Sequence, residues 1–142
     1  MQLEQFLEQT AARFPEKVAL ICDNRRVTYR EIETEANQLA HGLIARGVQR
    51  GDRVVLFLDN SVEAAIGVWA VLKAGGVVVP TSILRTGGGL LHEVSSSESR
   101  FIVCQETYLE RGIALRNHTD LEGILVTSNA GCDQERVQTS LP

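Results

Sequence analysis

The sequence predicts an α/β fold: a mostly parallel sheet flanked by helices, with an antiparallel hairpin near the N-terminus. Three observations predict it. Short apolar runs stand at 53–58, 77–79, 101–104 and within 121–127, and the one at 77–79 is apolar on both faces, as in a strand covered by helices on both sides. Helical patterns stand between them, which is the order of βαβ units. Two further runs, 17–22 and 25–28, are separated only by Asp23-Asn24, a pair of the kind that closes a two-residue hairpin.

The elements follow in chain order. Leu3, Phe6, Leu7, Ala11 and Phe14 have helical spacing, and Pro15 ends that helix. After the hairpin, Thr28-Tyr29-Arg30-Glu31 has the form of a capping box, with Val27 and Ile32 at the positions of a hydrophobic staple. The helix continues with Ile32, Ala36, Leu39, Leu43 and Ile44 on one face and Glu31, Glu33 and Glu35 on the solvated side. Gly47 is its stop. Gly51-Asp52 is a turn into the strand at 53–58.

The stretch 60–82 is the centre of the pattern. Asn60 or Ser61 caps a helix, with Glu63 placed to reach back to Asn60. Val62, Ala65, Ile66, Trp69 and Leu72 form one face and little polar surface stands opposite, so the helix is expected in the interior. Lys73 suits the negative end of the helix dipole. Gly75 and Gly76 permit a left-handed exit. Val77, Val78 and Val79 are then expected as a central strand ending at Pro80. A weaker helix at 86–99 opens with three glycines and carries Leu90, Leu91 and Val94. A strand at 101–104, a helix at 107–117 with Leu109, Ile113 and Leu115 partly buried, and a strand centred on Ile124, Leu125 and Val126 complete the domain.

Composition narrows the function. A chain of 142 residues is one domain or part of one, and could bury about 70% of its unfolded surface. The net charge of −4 argues against an electrostatic grip on nucleic acid. Cys22, Cys104 and Cys132 lack CxxC spacing, so neither a zinc site nor a disulfide framework is implied, and buried inert thiols are expected. No basic, apolar leader opens the chain, and no apolar stretch reaches the ~18 residues of a membrane span, so the cytoplasm is the expected compartment.

The candidate chemistry is thin. Gly87-Gly88-Gly89 follows no strand directly and has no lysine behind it, so a flexible turn is favoured over a phosphate loop. His41, His92 and His118 lack metal-site spacing. Ser95, Ser96, Ser97 and Ser99 lack a nucleophile elbow and suit caps and loops. Glu31 has a capping role, while Glu33 and Glu35 are expected to face water. No catalytic, cofactor-binding or metal-binding residue is assigned.

Two segments carry a resemblance. Val27-Thr28-Tyr29-Arg30-Glu31-Ile32 resembles the first core motif of adenylate-forming enzymes, L-T-Y-x-E-L. Leu72-Lys73-Ala74-Gly75-Gly76-Val77-Val78-Val79-Pro80 resembles their second, L-K-A-G-x-x-x-x-P. Between them, Gly47-Val48-Gln49-Arg50-Gly51-Asp52-Arg53-Val54 is similar to G-V-x-x-G-D-x-V, and Phe14-Pro15-Glu16-Lys17-Val18-Ala19-Leu20 matches the family's habitual start. The resemblance covers 3 to about 103. It departs after Pro80, where Thr81 to Gly89 replaces a polar, proline-containing stretch and Glu93 replaces an apolar residue. A displaced or poorly ordered helix is expected there.

The resemblance implies the N-terminal portion of an enzyme that activates a carboxylic acid with ATP and Mg²⁺ to an acyl-adenylate. The acyl group then passes to coenzyme A or a carrier-protein phosphopantetheine. It implies 1–127 as part of the AMP-binding domain, with 128–142 a polar tail, disordered or truncated. The family's lysine-ended phosphate loop, its ribose-binding aspartate and its mobile C-terminal domain have no match here. The chain alone is therefore expected to be inactive and to bind no cofactor. Val77-Val78-Val79-Pro80-Thr81 favours an acyl-CoA or acyl-carrier-protein ligase over a peptide-synthetase adenylation domain, which more often has an aromatic followed by P-L/I-D. The expected partner is the rest of the enzyme or a partner chain, with self-association through apolar edges. A stand-alone non-catalytic module or split-enzyme subunit is the alternative of another class. A small Rossmann-like nucleotide binder would need a glycine fingerprint between its first strand and helix, and none is present.

Overall fold

A computed structural model describes residues 1–127. The tail expected at 128–142, with Cys132, lies outside the described residues. Helix α1 (Glu4–Arg13) leads into an antiparallel hairpin of β1 (Val18–Cys22) and β2 (Arg25–Thr28). Cys22 faces Arg25 across the turn, and Asp23 takes a left-handed φ of 52° there. Of the apolar residues on α1, Leu7 and Ala11 are buried, while Leu3, Phe6 and Phe14 are exposed. Helical spacing alone did not distinguish them. The cations of Arg13 and Lys17 lie over the Phe14 ring instead.

Helix α2 (Tyr29–Ala45) starts on the capping box expected for it. The Thr28 hydroxyl accepts from the Glu31 amide at 3.3 Å, and the Glu31 carboxylate accepts from the Thr28 amide at 2.7 Å. Val27 and Ile32 are both buried in one core. Gly47, at φ 98°, ends the helix as its left-handed cap. Ile44 is half exposed, beyond the edge of the buried stripe. Glu33 and Glu35 do not simply face water. Glu33 pairs with Lys73 at 2.9 Å and Glu35 with Arg25 at 3.4 Å, because α3 and the hairpin pack beside them.

The rest of the chain alternates strictly: β3 (Arg53–Phe57), α3 (Val62–Lys73), β4 (Val77–Pro80), α4 (Gly87–Ser96), β5 (Phe101–Gln105), α5 (Leu109–Arg116) and β6 (Gly123–Thr127). A 3-10 turn, Glu106–Tyr108, precedes α5. The four strands are parallel, in the order β4-β3-β5-β6. β4 is thus an edge strand among the described residues, not the central one expected. The chain moves outward from β3 to β4, then crosses back over β3 to begin β5. Val77 is 47% exposed as a result, whereas β3 and β5 occupy the middle.

Helix α3 also differs from expectation. Ser61 is its cap, accepting from the Ala64 amide at 3.1 Å, and Glu63 pairs with Arg25 and not with Asn60. Its deepest residues are Val62, Ile66, Gly67, Ala70 and Val71, while Ala65, Trp69 and Leu72 are only half buried. The helix is rotated from the face the spacing suggested, because α2 packs on one side and the sheet on another.

Helix α4 is ordered and docked through Leu90 and Val94, correcting the displaced helix expected there. Glu93 finds Arg85 at 3.0 Å. The three glycines are the first turn of this helix, not a free loop. In α5, Leu115 is buried but Ile113 is 44% exposed. Two apolar layers sandwich the sheet. Val54, Leu56, Val103 and Leu125 pack against α2 and α3, while Val55, Phe57, Ile102, Cys104 and Val126 pack against residues of α4 and α5.

Candidate functional site

Two of the motif segments, around Gly51-Asp52 and Gly75-Gly76, meet at the amino end of the sheet. The Gly51 amide donates to the Gly75 carbonyl at 2.8 Å, and the Val77 amide to the Asp52 carbonyl at 2.7 Å. Gly75 supplies a φ of 81°. Gly76 is required by space and not by φ: a Cβ there would lie 3.0 Å from Val71 Cγ1 and 3.1 Å from the Asp52 carbonyl oxygen. The turn after α3 and the turn before β3 are therefore one packed unit.

The Asp52 carboxylate accepts from the Gln49 amide at 2.7 Å and from Arg100, whose other nitrogens reach Glu122. Partial burial raises the Asp52 pKa, but the Gln49 amide and the Arg100 guanidinium outweigh it and hold the carboxyl below its ordinary value. The same guanidinium lowers Glu122. These residues tie the starts of β3, β5 and β6. They are structural.

Ligands of open parallel sheets bind beyond the carboxyl ends of the strands, where the strand order reverses. Here that point lies between β3 and β5, and the protein's own side chains fill it. The Asp59 amide donates to Gln105 Oε1 at 2.6 Å. The Tyr108 hydroxyl donates to the Asp59 carboxylate at 3.2 Å, and its ring lies 5.1 Å from that of Phe57. Burial, and then the bond to Asp59, push the Tyr108 pKa up. The Arg111 guanidinium lies 4.7 Å from the Phe57 ring centroid and donates to the carbonyls of Ile83 and Arg85. Sequence reasoning singled out none of Asp59, Gln105, Tyr108 and Arg111. The available signal was position, since Asp59 and Gln105 each follow directly on an apolar strand.

The chemically reactive residue types lie elsewhere. His41, His92 and His118 are exposed. Cys104 is buried, and burial pushes its thiol up to about 12; Cys22 is half buried. Ser97 and Ser99 share a hydrogen bond of 2.6 Å between their hydroxyls. An open groove of about 370 Å³, with Glu98, Ser99, His118 and Asp120 on its walls, lies at the amino ends of β5 and β6. No group of three or more His, Cys, Asp or Glu residues is placed to hold a metal among the described residues.

ATP phosphates require converging backbone amides and a free cation. Lys73 is committed to Glu8 and Glu33 among the helices. Lys17 lies over Phe14, and Arg111 is held by two carbonyls. These three cations are not free to hold phosphate oxygens.

Fold and site together define a doubly wound α/β scaffold. The family model of the AMP-binding enzymes matches residues 7–141. The chain is 33% identical over 126 residues to a long-chain-fatty-acid–CoA ligase of Bacillus subtilis, covering 89% of this chain and 22% of that protein. It is 35% identical over 105 residues to tyrocidine synthase 1 of Brevibacillus parabrevis, covering 74% of this chain and 10% of the relative. A benzoate–CoA ligase structure from Burkholderia xenovorans superposes with a TM-score of 0.82 at 21% identity, over 92% of this chain and 27% of that one. The chain belongs to the AMP-binding, adenylate-forming enzyme family, and its fold is that of part of the N-terminal subdomain. It spans about a quarter or less of the length of each of these proteins.

Proposed function

We propose that this chain is the N-terminal scaffold of an ATP-dependent ligase that activates a carboxylic acid as its acyl-adenylate and transfers it to a thiol. The observation that carries this reading is the packed motif unit at Gly51, Asp52, Gly75 and Gly76, within a chain whose family match runs from 7 to 141. The thiol is coenzyme A or a carrier-protein phosphopantetheine. ATP and Mg²⁺ are held by the remainder of the enzyme, where a preorganised cationic and amide environment stabilises phosphate charge. The same remainder covers the free edge of β4. No helix of the described residues is long and apolar enough to cross a membrane.

An acyl-CoA or acyl-carrier-protein ligase is preferred to a peptide-synthetase adenylation domain. The ligase relative aligns over 126 residues and the synthetase over 105, and Val77 to Thr81 lacks the aromatic more common in the synthetases. The slightly higher identity to the synthetase favours the second reading. The discriminating experiment extends the chain through its downstream codons. Acid-dependent ATP–pyrophosphate exchange is then measured with fatty acids, aryl acids and amino acids. Exchange with fatty or aryl acids supports the first reading, and exchange with amino acids alone supports the second. A stop codon directly after Pro142 contradicts both and favours a stand-alone module.

A further inference from the structure

The Gly87-Gly88-Gly89 run has little packed around it. Gly87 takes φ 49°, but nothing lies within 4 Å of a Cβ added at Gly87 or Gly88, and only the Arg85 side chain approaches one at Gly89. Close packing therefore does not require these glycines. Three in succession weaken the first helical turn, each by about 1 kcal/mol relative to alanine. Thr86, the capping residue, makes no side-chain cap bond.

The segment just before them is held by α5, which packs on the same face of the sheet. Arg111 on α5 donates to both the Ile83 and the Arg85 carbonyls while its guanidinium lies over Phe57. Ile83 packs against the α4–α5 core, but Leu84 is 83% exposed. The other end is fixed where the Thr81 amide donates to Leu56. The Thr81 hydroxyl there is buried and has no partner, so this anchor is incompletely satisfied. One end is thus tied to β3 by a single backbone bond, the other runs into glycines with little around them, and the middle is held by Arg111, with the Ile83 side chain and the Arg85–Glu93 ion pair beside it.

We propose that residues 82–86 are a strap, hinged at Gly87–Gly89 and latched by Arg111, that opens over the carboxyl edge of β3 and β5 without unfolding the sheet. Opening uncovers the Phe57 and Tyr108 rings at the point where parallel sheets take ligands. This makes the filled crevice a closed state of a potential cleft. The inference does not depend on which acid or thiol the enzyme uses.

The test is amide hydrogen exchange and limited trypsin cleavage after Arg85, on the chain and three variants. Arg111→Met removes the fork. Arg111→Lys keeps a cation but cannot hold both carbonyls in the same planar geometry. Gly88→Ala with Gly89→Ala stiffens the hinge. Expected results are exchange at 82–89 and cleavage after Arg85 about tenfold or more faster in Arg111→Met, given the strength of charge-assisted bonds. Arg111→Lys follows it, the double alanine variant is slower than wild type, and β3 and β5 amides keep their ranking as the slowest. If Arg111→Met accelerates β3, β5 and 82–89 by the same factor, the arginine is a general stabiliser and the strap is wrong. If the alanine variant leaves 82–89 unchanged, the glycines are not its hinge and the proposal is overturned.

Discussion

Asp52 shows how much a single side chain organises here: its backbone carbonyl holds β4 and its carboxylate, through Arg100, holds β5 and the approach to β6. Thr28 does comparable work for α2, and Thr28→Ala should cost about 1 kcal/mol in a denaturant titration. Its partner Glu31 has a pKa lowered chiefly by the Thr28 amide. A carboxylate with a lowered folded pKa stabilises above its unfolded value and loses that contribution as pH falls through the folded value. The stability gap between wild type and Glu31→Gln should therefore be present at pH 7 and close on acidification below the unfolded carboxylate range, as thermal melts at the two pH values would show. Gly123 is a residue whose importance was not legible. A Cβ there would sit 2.7 Å from Phe101 Cδ1, and that ring is 1% exposed. Gly123→Ala should cost about 1–3 kcal/mol through overpacking, whereas Gly42→Ala, in open space on α2, should be neutral or stabilising. Equal denaturation midpoints for the two would contradict this. The sequence around Gly123 is silent because the constraint comes from a neighbouring strand.

At the level of elements, what was legible was local. The capping box and the alternation of strands and helices follow from residues a few positions apart, and each stands where the spacing placed it. The position of β4 was not legible, because Val77 to Val79 reads the same in a central strand as in one awaiting a neighbour. Strand order depends on where the chain crosses, which no short window contains. Lys73 makes the same point. It looked like a favourable charge at a helix end, but its side chain is 5% exposed and joins Glu8 on α1 and Glu33 on α2. Burial alone would lower its pKa; the hydrogen bonds and charges of the two glutamates outweigh that and raise it. Lys73→Met should destabilise by about 2 kcal/mol at neutral pH, since it strands the half-buried Glu33. A raised folded pKa means this contribution is full below the unfolded lysine value and is lost as pH rises through the folded one. Chemical denaturation at pH 7 and at strongly alkaline pH should show the gap narrowing.

For the whole molecule, two of the motifs that identify the family stand at structural positions. The first caps α2 and the second builds the turn into β4 at the amino end of the sheet, while the carboxyl end between β3 and β5 is closed by Phe57, Tyr108 and Arg111. The carboxyl-edge cluster escaped sequence reasoning because Tyr108 and Arg111 meet Asp59 and Phe57 only through the crossover from β4 to β5. The central claim is that these 142 residues are scaffold and not catalyst. ATP–pyrophosphate exchange by the purified chain, over fatty, aryl and amino acids, tests it most directly. The account predicts no exchange above a no-enzyme control with any acid; acid-dependent exchange by the chain alone would contradict it.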